Sequence, residues 1–264
     1  MNLGSKRNMM LMGFTLSLVS VVFNSLVITY VNRRLKEVDD ERASLSDSLE
    51  RQAAALSDGD SQFAFYRITH NLMYAVQPRD QEVVQTDAAG QLTKALQRYY
   101  QAAYDVPQTE IISAELEDFG QRLPTIEKQT QLARDAQAAT SPAERERLRK
   151  EQEDLEKQLP EPKSDLARKL RELSKFSYDA ENTGNEVMLD SALLPMMKSF
   201  QNEFITSTEK KRSRIRELQA ARASLVRKSE YASAAAIFFQ LLGLMFILAR
   251  DLWNQRVAAQ QKAG

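Results

Sequence analysis

The sequence predicts an all-α membrane protein in which two membrane-spanning helices flank a soluble helical region. Three observations indicate this fold. Two long apolar runs, at 9–31 and 231–249, carry no charged residue. No stretch has the period-two alternation and the β-branched enrichment that are typical of strands. All seven prolines lie between Pro78 and Pro195, so the segments on either side are free to form very long helices.

Both apolar runs are long enough to cross a bilayer. The run 231–249 holds 19 residues between Glu230 and Arg250, about the length that one helix needs to cross a hydrocarbon core of roughly 30 Å. The run 9–31 is longer than the apolar region of a secretory signal peptide, and the NRRLK that follows it offers no small-residue cleavage site. We therefore interpret both runs as transmembrane helices.

Heptad-like seams next to the spans predict two coiled-coil stalks. The first seam steps by three and four through Leu35, Val38, Arg42, Leu45, Leu49, Gln52 and Leu56. The second continues through Phe204, Thr208, Lys211, Ile215, Leu218, Arg222, Leu225, Ser229 and Ala232. Because the chain leaves the bilayer and returns to it, we expect the stalks to pair antiparallel, with Leu45 and Leu218 at similar distances from the spans. The charged seam residues Arg42 and Arg222 are typical of positions that set register at a cost in stability.

The middle of the chain reads as a helical bundle with frequent breaks. We expect breaks at SDGDS (57–61), Pro78, DVP (105–107), LP (123–124), TSP (140–142), PEP (160–162) and NTGN (182–185). SPAE at 141–144 is a good helix start, because serine can cap, proline suits the first helical position and glutamate reaches back. The predicted layout is a tail at 1–8, a span at 9–31, a stalk at 32–57, a bundle at 58–195, a stalk at 196–230, a span at 231–249 and a tail at 250–264.

Composition argues against most kinds of chemistry. The 36 basic residues balance the 36 acidic ones, which leaves no electrostatic footprint for nucleic acid. The chain has no cysteine and one histidine, His70, so we expect no catalytic triad and no metal site. The scattered glycines form no phosphate-binding loop. We expect a protein that is not an enzyme and that holds no cofactor.

Aromatic side chains are the bundle's most distinctive feature. They are Phe63, Phe65, Tyr66, Tyr74, Tyr99, Tyr100, Tyr104, Phe119, Phe176 and Tyr178. Such rings usually form the core of a bundle, and we favour that interpretation. The alternative is a pocket between helices that binds a small molecule.

Each span carries one face of small and polar residues, which predicts that the spans pack against each other. The predicted contact residues are Gly13, Ser17, Ser20, Asn24, Ala236, Gln240 and Gly243. Gln240 lies midway along its span, at the depth that Ser20 has in an antiparallel hairpin. We expect its amide to bond to Ser17, Ser20 or Asn24. A polar pathway through the membrane is the alternative.

The order span, helical bundle, span is similar to the sensory half of bacterial chemoreceptors. That resemblance covers the layout from Met9 to Ala249 and implies a ligand sensor that signals through a partner, since only 15 residues follow the second span. Our first hypothesis is instead a non-enzymatic protein of the bacterial inner membrane that presents its bundle for association with itself or with another membrane protein. A small channel or membrane effector is the third. We expect the bundle on the extracytoplasmic side.

Overall fold

The computed structural model describes residues 3–77, 81–182 and 186–263. Over these residues the chain forms six α-helices and no strand, so the prediction of an all-α fold is confirmed. The helices are α1 (Leu3–Met73), α2 (Gln81–Tyr104), α3 (Gln108–Ala138), α4 (Pro142–Lys157), α5 (Asp165–Asn182) and α6 (Glu186–Ala263).

Three of the predicted breaks separate helices. The breaks at 105–107, 140–142 and 160–162 lie between α2, α3, α4 and α5, and α4 begins at Pro142, the proline of the predicted helix start. Asp105 ends α2 in the left-handed region, at a φ of 54°. Pro78 and residues 183–185 lie outside the described residues.

Two other predicted breaks are wrong, because helices run through them. α1 continues through SDGDS (57–61), and α3 continues through Pro124. Gly59 is buried inside α1, where an added Cβ would lie only 3.1 Å from the Tyr99 ring. Pro124 deprives only the carbonyl of Gly120 of its helical donor. Gly120 is exposed, so water can replace that donor.

The chain divides into two compact units. The first consists of Met1–Asp47 and Lys210–Gly264, and the second is Ser48–Glu209. The second unit extends beyond the expected bundle range of 58–195 at both ends. Hydrogen bonds explain part of this extension, because Ser48 Oγ donates to Asp105 Oδ2 over 2.5 Å and Gln52 Nε2 donates to the Ala102 carbonyl over 2.6 Å. The division into a stalk at 32–57 and a bundle at 58–195 stays a prediction.

The main core of the second unit gathers apolar residues from four helices. α1 contributes Tyr66, α5 contributes Leu173, α6 contributes Leu193 and Phe200, and α2 supplies most of the rest. Buried residues of α2 are Ala88, Leu92, Ala95, Leu96, Tyr99 and Ala103. Their spacing of three and four residues places them on one face of α2, which explains why this helix has the largest share of the core.

A smaller cluster joins α3 to α5 and contains an ion pair. Ile111 and Ala114 of α3 pack against Ala167 and Leu170 of α5. One turn beyond them, the guanidinium of Arg171 donates to the carboxylate of Asp118, and Arg171 Nη1 also donates to the Pro160 carbonyl over 2.8 Å. Removing one partner from a buried pair leaves an uncompensated charge, so the two residues hold α3 and α5 in one register.

Candidate membrane-embedded helix pair

α1 and α6 each contain a segment that is long and apolar enough to cross a membrane. Only 11% of each apolar segment is buried, which distinguishes them from the core helix of a soluble protein. Large apolar side chains point outward from both helices in the first unit. They include Leu11, Phe14, Leu18, Val22, Leu26, Ile237, Phe238, Leu241, Met245 and Leu248. An apolar exterior of this kind is suited to lipid.

Glycine makes the closest approach between the two helices. A Cβ atom added to Gly243 would lie 2.8 Å from the carbonyl oxygen of Gly13 and 2.5 Å from Ser17 Oγ. A Cβ on Gly13 would meet the Gly243 carbonyl oxygen, also at 2.8 Å. No side chain fits at either position without moving a helix. Gly13, Ser17 and Gly243 therefore lie together in the structure.

Ser20 and Ala236 form the second contact of the pair. Ser20 Oγ donates a hydrogen bond of 2.5 Å to the carbonyl oxygen of Ala236, and both residues are buried. The Ala236 carbonyl oxygen also accepts the helical backbone hydrogen bond from the N–H four residues later in α6. A serine that bonds to a backbone carbonyl satisfies its own hydroxyl without requiring a second polar side chain in the apolar layer.

Two of the predicted contact residues have a different environment. Gln240 is exposed, and no hydrogen bond joins it to Ser17, Ser20 or Asn24 among the described residues. Asn24 is half-buried, and its Oδ1 is enclosed without a hydrogen-bond partner in the described part of the chain.

The position of Gln240 follows from the way in which α6 faces α1. Ala236 and Gly243 lie at the contact, with the half-buried residues Ala235, Leu242 and Phe246 on one side of the line that joins them and the half-buried residues Ser233 and Ile247 on the other. At 100° per residue, Gln240 lies about 40° from Ala236 and 60° from Gly243, at the edge of the contact on the side of Ser233 and Ile247. The periodicity of the sequence places Gln240 near the small residues, but it does not show whether α1 covers its side chain.

The same antiparallel pairing continues beyond the apolar segments. Arg222 Nε donates to Asp39 Oδ1 over 3.0 Å, and Arg214 Nε donates to Glu41 Oε1 over 2.8 Å. Val38 and Leu218 line one groove between the helices. This register sets Leu218 beside Val38 and not beside Leu45, the residue that equal distances from the spans predict.

Neither seam arginine lies in a fully enclosed site. Arg222 is an exposed partner of Asp39, and Arg42 is half-buried. Exposed ion pairs contribute about 0.2–1 kcal/mol each. The geometry of the ion pairs nevertheless favours one pairing of the two helices over a shifted one. The role of Arg42 and Arg222 in setting register stays a prediction.

The aromatic residues of the second unit divide between core and surface. Tyr66 and Tyr99 are buried in the main core, with Phe63, Tyr100 and Phe176 packed against it. Phe65, Tyr74, Tyr104, Phe119 and Tyr178 are exposed. Tyr99 OH donates to Asp60 Oδ1 over 2.8 Å. Burial, reinforced by this hydrogen bond, raises the pKa of Tyr99 well above its usual value of 10.

His70 lies among rings. Its centroid is 5.6 Å from that of Tyr66 and 5.7 Å from that of Tyr74. Over the described residues, no group of three or more histidine, aspartate or glutamate side chains is arranged to hold a metal ion.

No protein-family model matches the chain, and neither a curated protein nor a solved structure resembles it significantly.

Proposed function

We propose that the protein is a non-enzymatic integral membrane protein that presents a helical bundle for association with itself or with a membrane partner. The observation that carries this proposal is an exposed apolar stripe on α3. It consists of Ile112, Leu116, Phe119 and Leu123, all exposed, and we call it the α3 stripe.

The α3 stripe has the spacing of an association surface. Its residues step by four, three and four, so they lie along one face of the helix. The residues that α3 buries within its own unit are different ones, namely Ile111, Ala114, Asp118 and Leu132. α3 therefore buries a different set of residues within its unit and leaves the stripe exposed. Contiguous exposed apolar surface on a soluble domain is typical of a protein interaction site.

Chemical considerations favour association over catalysis. His70 is packed between tyrosine rings, and the ionisable cluster of α3 and α5 is internally paired through Asp118 and Arg171. A general acid or base needs a group that is open to substrate. The Asp118–Arg171 pair instead connects α3 to α5, and the rings around His70 belong to its own stretch of chain.

Substitution of Leu116 tests the proposal in the full chain. Leu116 is 65% exposed, so Leu116→Gln preserves the fold. Burial of a leucine at an interface contributes about 1.5–3 kcal/mol, so the variant should weaken association by about tenfold or more. The matched control is Leu194→Gln, at an exposed leucine of α6.

The measurement is chemical crosslinking of the full-length protein in its own membrane, followed by mass spectrometry of the products. Wild type and Leu194→Gln should give the same defined complex, either with a second copy or with one membrane protein, and Leu116→Gln should give much less of it. A wild-type chain that stays monomeric and crosslinks to no membrane protein would overturn the proposal. Equal yields of the crosslinked complex from all three proteins would show that the α3 stripe is not the association surface.

A further inference from the structure

The side chain of Gln240 is a polar group in an apolar environment. Gln240 is the tenth of the 19 uncharged residues at 231–249, which places it at the middle of the span. It is exposed, and α1 does not cover it. An amide without partners in hydrocarbon costs several kcal/mol, so a lipid-facing glutamine at this depth indicates that another membrane helix supplies the missing partners.

The residues around Gln240 form a stripe with helix-packing periodicity. Ser233, Ile237, Gln240 and Leu244 step by four, three and four, and we call them the Gln240 stripe. Ile237, Gln240 and Leu244 are exposed, and Ser233 is half-buried. Polar side chains thus recur seven residues apart on one face of α6, with bulky apolar residues between them. This pattern suits a parallel pair of membrane helices.

We infer that the Gln240 stripe is the contact surface for the same stripe of a second copy of this chain. The inference rests on the proposed function, of which it names the partner. Two copies inserted with the same topology place Gln240 at the same depth, on α6 helices that run parallel. A carboxamide has both a donor and an acceptor, so two glutamines related by a two-fold axis can exchange two hydrogen bonds.

Charge does not oppose this pairing within the bilayer. The run 231–249 contains no ionisable aspartate, glutamate, lysine or arginine, so the two helices bring no like charges together in the apolar layer. Each α6 keeps its contact with its own α1, because Ile237 and Leu244 lie about 100° around the helix from Ala236 and Gly243. The dimer therefore adds an interface without replacing one.

Single cysteines provide the test, because the natural chain has none. Ile237→Cys and Leu244→Cys lie on the Gln240 stripe. Phe238→Cys and Met245→Cys are exposed but lie about 140–160° around the helix from Gln240, by the helical repeat. The full-length variants are oxidised in membranes, and the disulfide-linked dimer is quantified. Cysteines on the stripe should crosslink, and those on the opposite face should not.

A second pair of variants tests the amide itself. In the Ile237→Cys background, Gln240→Leu removes the hydrogen bonds, whereas Gln240→Asn keeps a carboxamide. Two membrane hydrogen bonds of average strength correspond to an association constant lower by about 3- to 10-fold for Gln240→Leu. Gln240→Asn should remain close to wild type. Leucine favours membrane insertion, so a lower yield would not reflect failure to insert.

The outcomes separate this inference from the proposed function. Equal crosslinking on both faces, an unchanged yield in Gln240→Leu, or a crosslinked product that contains a different protein would each overturn the pairing of the stripes. Light scattering of the detergent-solubilised protein gives the mass of the particle and so the number of copies in it. A particle of two copies that fails to crosslink at Ile237→Cys and Leu244→Cys overturns the inference alone. If the protein forms a complex with a different protein, and that complex depends on Leu116, the proposed function is supported and the pairing of the Gln240 stripes is not.

Discussion

At the scale of single residues, we expect the addition of a side chain to have opposite effects on stability at Gly59 and at Gly90. A Cβ on Gly59 would lie 3.1 Å from two ring carbons of Tyr99 and 3.3 Å from Arg98 Cβ, whereas a Cβ on Gly90 has nothing within 4 Å. Both glycines are inside helices, where alanine is favoured by about 0.5–1 kcal/mol. Packing therefore decides the effect at Gly59, and helix propensity decides it at Gly90.

We predict that Gly90→Ala stabilises the protein by about 0.5–1 kcal/mol and that Gly59→Leu destabilises it by about 1–3 kcal/mol, as an overpacked core does. The measurement is unfolding of the detergent-solubilised full-length chain, followed by circular dichroism. A Gly59→Leu protein as stable as wild type would mean that Tyr99 can move away without loss, contrary to its hydrogen bond to Asp60.

Tyr99 makes the stability of the protein depend on alkaline pH. Its raised pKa means that the folded state favours the protonated phenol. An unfolded tyrosine loses its proton near pH 10. The stabilisation is therefore fully present below about pH 10, and it is lost as the pH rises from there towards the higher folded pKa.

We predict that Tyr99→Phe shows a smaller loss of thermal stability than wild type as the pH is raised through 10, because phenylalanine has no proton to lose. Tyr178→Phe, at an exposed tyrosine, is the control and should follow the wild-type slope. Identical slopes for wild type and Tyr99→Phe would show that the alkaline loss arises elsewhere, for example at Tyr100, whose pKa burial also raises.

At the scale of elements, the register of α1 against α6 is set by close contacts and ion pairs rather than by distance along the chain. The pairs Ser20 with Ala236 and Glu41 with Arg214 follow one antiparallel register. That register brings Val38 to Leu218, and it places Leu45 about one heptad away from Leu218. A seam of leucines alone tolerates such a shift, because each heptad presents similar side chains.

We predict that the double variant Val38→Cys with Leu218→Cys is joined within one chain by a short bis-maleimide. Leu45→Cys with Leu218→Cys should give much less of this product. Mass spectrometry of the purified monomer distinguishes the intramolecular link. Equal yields would indicate sliding of the two helices, and links only between chains would mean that the seam serves a dimer.

At the scale of the whole molecule, two spans return the chain to the side on which it began. We predict that both tails lie on one side of the membrane and residues 32–230 on the other, with the latter extracytoplasmic. Lys6 and Arg7 resist translocation of the first tail, and long loops cross largely regardless of charge.

Labelling with an impermeant maleimide on intact cells measures this topology. Glu146→Cys, in an exposed part of α4, should be labelled, and Gln255→Cys should be labelled only after permeabilisation. The reverse result would place the bundle in the cytoplasm. Labelling of both cysteines on intact cells would contradict a two-span topology.

The sequence by itself determined the helical class, the two apolar segments and several helix ends. These properties depend on local chemistry. An uncharged run of about 20 residues is long and apolar enough to cross a membrane, and a proline is favoured at the first position of a helix. Residues 105–107, 140–142 and 160–162 interrupt helices for the same local reason, because their backbone preferences are independent of what packs against them.

Only the tertiary structure decided the properties that depend on a neighbour. SDGDS (57–61) reads as a break, yet α1 runs through it and packs Gly59 against Tyr99 of α2. Asp118 and Arg171 are 53 residues apart and meet only because α3 packs on α5. Gln240 lies near the small residues of α6 in the helical repeat, and only the packing of α6 on α1 shows that its side chain is exposed. Helical periodicity gives the angle of each residue around its own axis, whereas the direction of the neighbouring helix is set by the packing of all contacts together.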